Sequence, residues 1–351
     1  MADQNDTFTG ATLTQELRLG ERQEHGPLAV FPLFLERHGE GHGRPRFITL
    51  RQALSEGRAL ITEVDEGGSV PELRVVNTGD ARLLIVDGEE LRGAKQNRVL
   101  NTSILVERFA TLVVPVSCTE RGRWSYATRE FAESEIVAER SVRYAMRETT
   151  SAALVRGAGH RADQGEVWRE VDAMHARQRT VSPTGAMRDA YQHKKRDLDA
   201  VLAAFPLQQE QNGVLVLHGD RVVGLDLVSR SPQYAELHDK LLRSYAFEAL
   251  VSDGEPGDRA VAEAFLARIA GLAGRRFKSP GLGWDVRFEG AGVLGSALVY
   301  RGRAVHAAFF DVGGASGQTG AVEATAGEGR PHVTEWRIAD ARERARRRGM
   351  R

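Results

Sequence analysis

The sequence predicts an α+β protein, with a mainly antiparallel N-terminal β section followed by a helical and mixed α/β section. Short runs rich in Val, Ile and Leu follow one another between residues 28 and 118, separated by turn residues. From Phe131 to Phe205 the apolar residues recur with helical spacing, and helical and strand-like segments then follow to residue 312. We therefore divide the chain into sections 1–127, 128–212 and 213–312, and a Gly-rich and Arg-rich tail, 313–351, that we expect to be mobile.

The strands of the first section are expected to pair antiparallel after Glu72, because the intervals between them leave little room for helical crossovers. One helix is predicted inside this section, with Thr49 as its N-cap and Gly57 just past its end. The dipeptide Asp87-Gly88, between "RLLIV" and "EELRG", fits a two-residue hairpin turn. Asp87 is therefore interpreted either as turn chemistry alone or as a ligand-binding residue.

The later sections carry signals of their own. Asp163, with Glu166 three residues further on, forms a capping pair before an apolar helical face. A second helical run, from Met187, ends at Pro206, so two or three helices are predicted between residues 131 and 205. Gly219-Asp220 joins two strand-like runs in a predicted hairpin. Helices and then three strands, the last reading "RAVHAAFF", are predicted to follow.

Charge and cysteine content exclude several classes of protein. Lys plus Arg and Asp plus Glu both number 48, so net charge does not favour a nucleic acid or a membrane surface as a partner. Cys118 is the single cysteine, so one chain cannot form an internal disulfide or a multi-cysteine metal site. Residues 1–20 lack a secretory pattern, and the apolar runs are shorter than the roughly 20 residues that cross a bilayer. We expect a cytoplasmic protein, whose cofactors and oligomeric state the sequence does not indicate.

The densest group of polar residues lies in "DGEELRGAKQNRVLNTSILV", residues 87–106. Four of them stand in a row: Lys95, Gln96, Asn97 and Arg98. An extended chain projects such residues alternately to both faces, so one face is expected to be buried or to face a ligand. Desolvated Lys and Arg need anionic partners, either a phosphorylated ligand or the nearby carboxylates Glu89, Glu90 and Glu120. A ligand site and an internal ion-pair network both remain open.

A second polar stretch, "PVSCTERGRW", follows a strand. A cysteine-based phosphatase loop needs an arginine at the position that Trp124 occupies here, so that chemistry is disfavoured. Cys118 is interpreted as a small buried core residue and not as a nucleophile. Glu120 and Arg123 are better candidates for a site, as a carboxylate and a bidentate anion ligand.

Three further motifs are weaker. His38, Glu40 and His42 have alternate spacing that could bind a metal, but the surrounding glycines favour a flexible loop. "GAGVLG" matches the letters of a dinucleotide fingerprint, but the strand-like "SALVYRG" follows where a helix must begin. The Arg-rich tail has no interleaved aromatic residues, which favours a solvated tail over nucleic-acid binding.

Several motifs together resemble one known family: "GSVPEL" (68–73), "DGEEL" (87–91), "GAKQNR" (93–98), "NTSILV" (101–106), "PVSC" (115–118) and "GRW" (122–124). From about Leu17 to Leu250 the chain is similar to the domain family named for its association with ADP-ribosylglycohydrolases and rhodanese-like phosphatases. The resemblance implies a role in making or clearing ADP-ribose and related NAD-derived compounds, without an agreed reaction. It covers nearly the same residues as the two polar stretches.

The leading hypothesis is a hydrolase that acts on a phosphorylated nucleotide derivative of the ADP-ribose class, with Glu90 or Glu120 as general base or metal ligand. A diphosphate with two riboses calls for cations, carboxylates, amides and an aromatic face. The predicted ligand-binding residues are Asp87, Glu89, Lys95, Gln96, Asn97, Arg98, Asn101, Arg123 and Trp124, and no metal site is predicted.

The alternatives are a non-catalytic ADP-ribose-binding or sensor module and a scaffold with an internal ion-pair network. Six side chains from separate strands are expected to converge on one pocket: Glu90, Lys95, Asn97, Arg98, Glu120 and Arg123.

Overall fold

A large antiparallel sheet joins the beginning of the described chain to its end. The computed structural model describes residues 8–36, 44–65, 67–251 and 253–312, which fall within one compact unit. The His38, Glu40 and His42 motif and the tail 313–351 lie outside the described residues. Over the ranges described, the helices are all too short or too polar to cross a membrane.

The described strands and helices follow in chain order. The strands are β1 (Leu17–Leu19), β2 (Gln23–His25), β3 (Leu28–Leu35), β4 (Phe47–Thr49), β5 (Ala59–Glu63), β6 (Glu72–Asn77), β7 (Arg82–Ile85), β8 (Glu89–Gly93), β9 (Arg98–Leu100), β10 (Ile104–Val106), β11 (Thr111–Cys118), β12 (Phe131–Val137), β13 (Gly213–His218), β14 (Arg221–Val228), β15 (Arg275–Lys278), β16 (Trp284–Gly290), β17 (Val293–Tyr300) and β18 (Arg303–Asp311). The helices are α1 (Gly10–Thr14), α2 (Leu50–Ser55), α3 (Arg140–Val155), α4 (Gln164–Gln178), α5 (Met187–His193), α6 (Lys195–Leu202), α7 (Ser231–Ala246) and α8 (Arg259–Ala270), with a 3₁₀ turn at Phe247–Leu250.

Within the described ranges, these strands form three sheets. The largest has the order β1-β3-β13-β14-β18-β17-β16-β15, with β2 beside β3. The second has the order β10-β7-β4, and the third β12-β8-β9-β11-β6-β5. Among the named strands of the described chain, β4 and β7 form the single parallel pair. The predicted α+β class is confirmed, and strands alone occupy the regular structure between residues 72 and 118.

The large sheet buries both of its faces because side chains alternate along its strands. In β3, Leu28 and Val30 belong to the core formed with helices α3 to α7, whereas Phe31 and Leu33 belong to the core formed with α1 and α8. A third core fills the two smaller sheets and contacts α2. Each fully buried Leu, Val or Phe contributes roughly 1.5 to 3 kcal/mol relative to an exposed one.

Local signals in the sequence predicted several elements correctly. The Thr49 hydroxyl accepts a hydrogen bond from the Gln52 N–H at 3.2 Å and starts α2, and Gly57 follows its end with φ of +65°. Asp163 caps α4, because its Oδ1 accepts from the N–H of Glu166 at 3.2 Å. The hairpin at Gly219-Asp220 joins β13 to β14, as predicted.

The helical section contains more elements than the two or three helices predicted. Residues 131–137 form strand β12, and four described helices, α3 to α6, follow before Pro206. The apolar face that begins at Met187 extends over two helices. The helical conformation is interrupted at Lys194, which is the C-cap of α5 and the N-cap of α6. The apolar period continues across this break, so the sequence pattern indicates a single helix.

The predicted hairpin at Asp87-Gly88 is wrong. Strand β7 pairs with β4 and β10, whereas β8 pairs with β9 and β12, so Asp87-Gly88 carries the chain from one sheet to the next. Gly88 does adopt a positive φ of +80°, and a Cβ atom there would lie 2.9 Å from the Arg143 side chain. The glycine therefore serves both the turn and the close approach of helix α3.

Asp87 connects this crossing to helix α3 through buried ion pairs. Arg147 donates to Asp87 Oδ2, and Arg143 Nη2 lies 3.6 Å from the same oxygen. Ser103 Oγ donates to the other oxygen at 3.1 Å. Burial alone would raise the pKa of Asp87, but the charges of Arg147 and Arg143 lower it far below its ordinary value. Asp87 is therefore more than turn chemistry: it is an ionised partner of two buried arginines.

The Asp87→Asn substitution is expected to lower the free energy of unfolding by about 3 to 5 kcal/mol, because it leaves Arg147 buried without its charge partner. Urea denaturation of the parent and variant measures this loss. Asp80→Asn is the matched control, because the Asp80 side chain is 79% exposed and its ion pair with Arg58 contributes little. Equal stability of the two variants would contradict the assignment.

Candidate functional site

The "GAKQNR" segment is a tight link between strands β8 and β9. Gly93 has a φ of +121°, and a Cβ atom there would lie 2.5 Å from Thr128 Oγ1, so only glycine fits. Asn97 Oδ1 accepts a hydrogen bond from the Gly93 N–H at 3.2 Å and closes the link. Between these two residues, Gln96 accepts a hydrogen bond from Arg98, the first residue of β9, and Lys95 lies near the same Trp124 ring as Arg98.

Arg123 and Glu120 hold the segment after β11 against this link. Arg123 Nε and Nη2 donate to the two oxygens of Glu120 at 2.9 and 2.6 Å. Its remaining donors reach backbone carbonyls, including Ala94 O at 2.7 Å. Glu120 also accepts from the N–H of Asn97 at 3.2 Å and from the Thr184 hydroxyl at 3.1 Å.

This bonding leaves little capacity for a ligand at Glu120 or Arg123. Burial alone would raise the pKa of Glu120, but the hydrogen bonds from Arg123 and Asn97 lower it below its ordinary value. A carboxylate with a lowered pKa and both oxygens hydrogen-bonded is a weak general base. The Glu120–Arg123 ion pair therefore has a structural role, because it holds the segment after β11 against the link between β8 and β9.

Arg98 is a fully buried guanidinium that lacks a charge partner in the described chain. Its side chain donates from Nη1 to Gln96 Oε1 at 2.9 Å, whereas Nε and Nη2 have no hydrogen-bond acceptor. Glu63 and Glu120 interact with it electrostatically, but no described carboxylate oxygen lies within the 4.0 Å of an ion pair. Burial lowers the pKa of Arg98, yet arginine stays charged in proteins.

The neighbouring Cys118 does not neutralise Arg98. Its thiol is buried and donates to Gln96 Oε1 at 3.2 Å. Burial raises the pKa of this thiol, so it stays neutral near pH 7. The predicted burial of Cys118 is confirmed. Gln164 of α4 fixes the backbone here, because its amide donates to Cys118 O at 2.9 Å and accepts from Cys118 N at 2.7 Å.

Two aromatic rings form an exposed rim above the cations. The centroids of Trp124 and Tyr126 lie 5.3 and 5.1 Å from Lys95 Nζ, and Trp124 lies 5.7 Å from Arg98 Cζ. Lys95 also donates to the carbonyl of Gly67. The rings are 49% and 50% exposed, so about half of each surface remains open for stacking.

Glu63 contributes a carboxylate that the sequence did not single out. It is buried at the end of β5, and its Oε1 accepts from the Lys95 N–H at 3.4 Å. Its Oε2 is buried and has no hydrogen-bond partner. The position of Glu63 in "ALITEV" is the sequence feature that could have identified it. Side chains alternate along this strand, and Glu63 shares its inward face with Ile61. We define the Arg98 site as Arg98, Lys95, Gln96, Glu63, Trp124 and Tyr126.

Glu90 lies away from the Arg98 site. Glu90 pairs with Val99 across β8 and β9, whereas Arg98 pairs with Leu91, and cross-strand partners point to the same face. The two charged side chains therefore project from opposite faces of this pair of strands. Glu90 accepts hydrogen bonds from Thr119 Oγ1 at 2.9 Å and from Ser134 Oγ at 2.8 Å. Despite these bonds, burial raises the pKa of Glu90 to about 7.

Three other predicted ligand-binding residues are bonded elsewhere. Asp87 pairs with arginines of α3, and Glu89 forms an ion pair with the buried Lys240 of α7. Asn101 donates to the carbonyl of His160 at 3.1 Å. The structure thus brings together Lys95, Gln96, Asn97, Arg98, Glu120, Arg123 and Trp124, and it places Asp87, Glu89, Glu90 and Asn101 outside that group.

In the ranges that the structure covers, no three His, Cys, Asp or Glu side chains converge in a way that could hold a metal ion. Two carboxylates lie near the Arg98 site, and they do not share a ligand position. Glu63 accepts a hydrogen bond from a backbone N–H, and Glu120 forms an ion pair with Arg123.

Fold and site together define an α+β protein with a buried cation beneath an aromatic rim. The model of one family, the ARG and Rhodanese-Phosphatase-superfamily-associated Protein domain, matches residues 16–310, and the chain belongs to this family. The match confirms the resemblance seen in the motifs and continues past Leu250 through the strands of the last section. No curated protein and no solved structure matches the chain.

Glu90→Gln is expected to make stability less dependent on pH. The pKa of Glu90 is raised from 4.5 to about 7 in the folded protein, so its stabilising contribution is present at low pH and is lost as pH rises through 7. The glutamine stays neutral throughout. The variant should match the parent below about pH 4.5, and its advantage should grow as pH rises to reach roughly 3 kcal/mol above about pH 8.

Urea denaturation across this pH range measures the difference. Glu263→Gln, at a side chain that is 58% exposed, is the control and should run parallel to the parent. A constant difference between Glu90→Gln and the parent at every pH would show that Glu90 does not titrate in this range.

Proposed function

We propose that this chain binds a phosphorylated nucleotide-type small molecule, of the class that ADP-ribose represents, at the Arg98 site. The observation that carries the proposal is the buried guanidinium of Arg98, with Nε and Nη2 free of acceptors. A buried charge without a partner costs several kcal/mol of stability. A phosphate oxygen pair would satisfy both free N–H groups at once, because the guanidinium fork matches a phosphate bidentately.

The other groups of the Arg98 site suit the remaining parts of such a ligand. Lys95 offers a second cation beside Arg98, which fits a diphosphate better than a single phosphate. The free Oε2 of Glu63 can accept a hydrogen bond from a ribose hydroxyl. The half-exposed rings of Trp124 and Tyr126 offer surface on which a base can stack. The family's name, which refers to ADP-ribosylglycohydrolases, supports the same class.

Entry of the ligand requires Trp124 to move. The free donors of Arg98 are buried, and the Trp124 ring lies above the guanidinium. Trp124 belongs to the segment between β11 and β12, which contains no helix or strand apart from isolated bridges at Glu120 and Glu130. We propose that the ring moves aside on binding and then closes over the phosphate.

The geometry favours recognition without turnover over hydrolysis. The two carboxylates that the sequence singled out as catalytic are unsuited to attack on a ligand here, because Glu120 is bonded to Arg123 and Glu90 projects from the other face of its strands. Hydrolysis is the second candidate, and one observation favours it. Glu63 has a free carboxylate oxygen in the Arg98 site, where it could act as general base. A cytoplasmic location is part of this proposal.

Replacement of Arg98 by methionine is expected to abolish ligand binding without loss of stability. The apolar side chain has a similar length and removes an uncompensated charge, so the melting temperature of the free protein should stay equal or rise. The stabilising shift that ADP-ribose produces in the parent should disappear, since losing a hydrogen-bonded charge costs about 1.5 to 3 kcal/mol of binding. Thermal melts with and without ADP-ribose measure both quantities.

Arg287→Met is the matched control, because Arg287 is equally buried but pairs with Asp285 at 2.6 Å. That variant should lose stability and keep the ligand-induced shift where it still folds. Absence of any shift in the parent, or a loss of stability in Arg98→Met as large as in Arg287→Met, would contradict the proposed site.

Glu63→Gln separates recognition from hydrolysis. If the protein only binds, ADP-ribose and its phosphorylated forms should remain intact when incubated with the parent, as chromatography of the products would show. If it hydrolyses them, Glu63→Gln should lose roughly 100-fold or more of the rate while affinity changes little. Glu120→Gln is a poor comparison because it breaks the pair with Arg123, so Glu72→Gln on the neighbouring strand serves as the control.

A further inference from the structure

A second cleft lies between the loop that joins α3 to α4, strands β6 and β11, and the loop after β15. Its volume is about 410 Å³, within the usual range for small-molecule sites. The residues that matter are Pro71, Val113, Pro115, His160, Arg161 and Lys278. We call this space the His160 cleft. None of these residues belongs to the Arg98 site.

The cleft carries excess positive charge. Arg161 and Lys278 are exposed and come from segments far apart in sequence. Neither has a carboxylate within the 4.0 Å of an ion pair among the described residues. Glu72 is the one acidic residue among the described residues that line the cleft. Two cations without a carboxylate partner at one cleft favour an anionic occupant.

A buried layer holds His160 in the cleft wall. The His160 side chain is 10% exposed, and its Nε2 lies 3.1 Å from Asp285 Oδ2. Asp285 is fixed in turn by Arg287 at 2.6 and 2.8 Å and by the Thr102 hydroxyl at 2.8 Å. The His160 carbonyl accepts from Asn101. This explains why Asn101, a predicted ligand-binding residue, is buried: it positions the cleft wall.

The opposite wall is equally fixed. Leu282 N–H donates to Leu105 O at 2.8 Å and anchors the loop that follows Lys278, the last residue of β15. A Cβ atom on Gly281 would lie 2.4 Å from the same carbonyl oxygen, so the loop packs directly on β10. Between the walls, the floor is apolar, and Val113 keeps 43% of its surface exposed. A preformed cleft with an apolar floor binds a ligand at a lower ordering cost than a mobile loop.

We infer that the His160 cleft is a binding site for a small organic anion. Its carboxylate or phosphate group contacts Arg161 and Lys278, and its apolar body lies on Val113 and the two prolines. His160, held by Asp285, supplies a ring nitrogen for a hydrogen bond to the same ligand. This site is separate from the Arg98 site and does not depend on the function proposed there.

Calorimetric titration with phenyl phosphate tests the inference, because this probe combines an aromatic body with an anionic group. The parent should bind it saturably at millimolar concentration, and the double variant Arg161→Gln, Lys278→Gln should lose about tenfold or more in affinity. Both side chains are exposed, so the double variant is expected to fold, as its melting temperature will show. Arg156→Gln, Lys195→Gln removes the same charges from exposed positions outside the cleft and should bind like the parent.

The comparison also separates the two sites. Arg98→Met should bind phenyl phosphate like the parent if the probe occupies the His160 cleft. Benzoate in place of phenyl phosphate distinguishes a carboxylate from a phosphate preference, and neutral benzyl alcohol should bind at least tenfold more weakly. Absence of saturable binding of either anion, equal affinity in the parent and the cleft double variant, or a loss confined to Arg98→Met would each overturn the inference.

Discussion

Burial of the charges on the crossing from Asp87 to Glu90 is the constraint on which the rest of the structure depends. Asp87 is compensated by Arg147 and Arg143 of helix α3, and Glu89 by Lys240 of helix α7. Burial alone would lower the pKa of Lys240, but Glu89 and Glu133 raise it above its ordinary value, so Lys240 stays charged. Because a buried carboxylate without its cation costs several kcal/mol, these ion pairs favour the observed packing of helices α3 and α7 against the sheets. Asp87 and Glu89 of "DGEE" therefore have structural roles, whereas the residues that we propose contact a ligand begin after them, at "GAKQNR".

Arg98 differs from the other buried arginines of the described chain, and this difference is the basis of the proposed Arg98 site. The other arginines buried in the described residues are Arg143, Arg147 and Arg287, and each has a carboxylate within ion-pair distance. Arg98 is covered by the Trp124 ring, which Lys95 also contacts, and it donates a hydrogen bond to Gln96. The Arg123–Glu120 ion pair fixes the loop, and its two charges compensate each other and not a ligand. The fold thus compensates its other described buried guanidiniums and not this one, and this difference supports our proposal that an external anion binds at Arg98.

The sequence predicted elements whose signals are local and missed those set by distant contacts. The caps at Thr49 and Asp163 and the hairpin at Gly219-Asp220 depend on neighbouring residues, and all three are confirmed. Asp87-Gly88 has the residue types of a hairpin turn, but Asp87 forms its ion pair with Arg147, 60 residues away. The local pattern does not indicate this contact, and the hairpin prediction was therefore wrong. The register between β8 and β9 places Glu90 and Arg98 on opposite faces of this pair of strands. The two residues are close in sequence, and the sequence alone does not indicate this register. Glu63 reaches the site from another strand, 35 residues before Arg98, and no motif marks it.

Nitrogen-detected NMR of arginine side chains observes the decisive group directly. In the free protein the Nε–Hε signal of Arg98 should be resolved by its burial but lack the downfield shift of a strong hydrogen bond. Saturation with ADP-ribose should shift this signal and slow its exchange with water, while the signal of Arg287, already paired with Asp285, stays in place. If ADP-ribose binds and the Arg98 signal does not change, the anion is held elsewhere and Arg98 is an uncompensated structural charge.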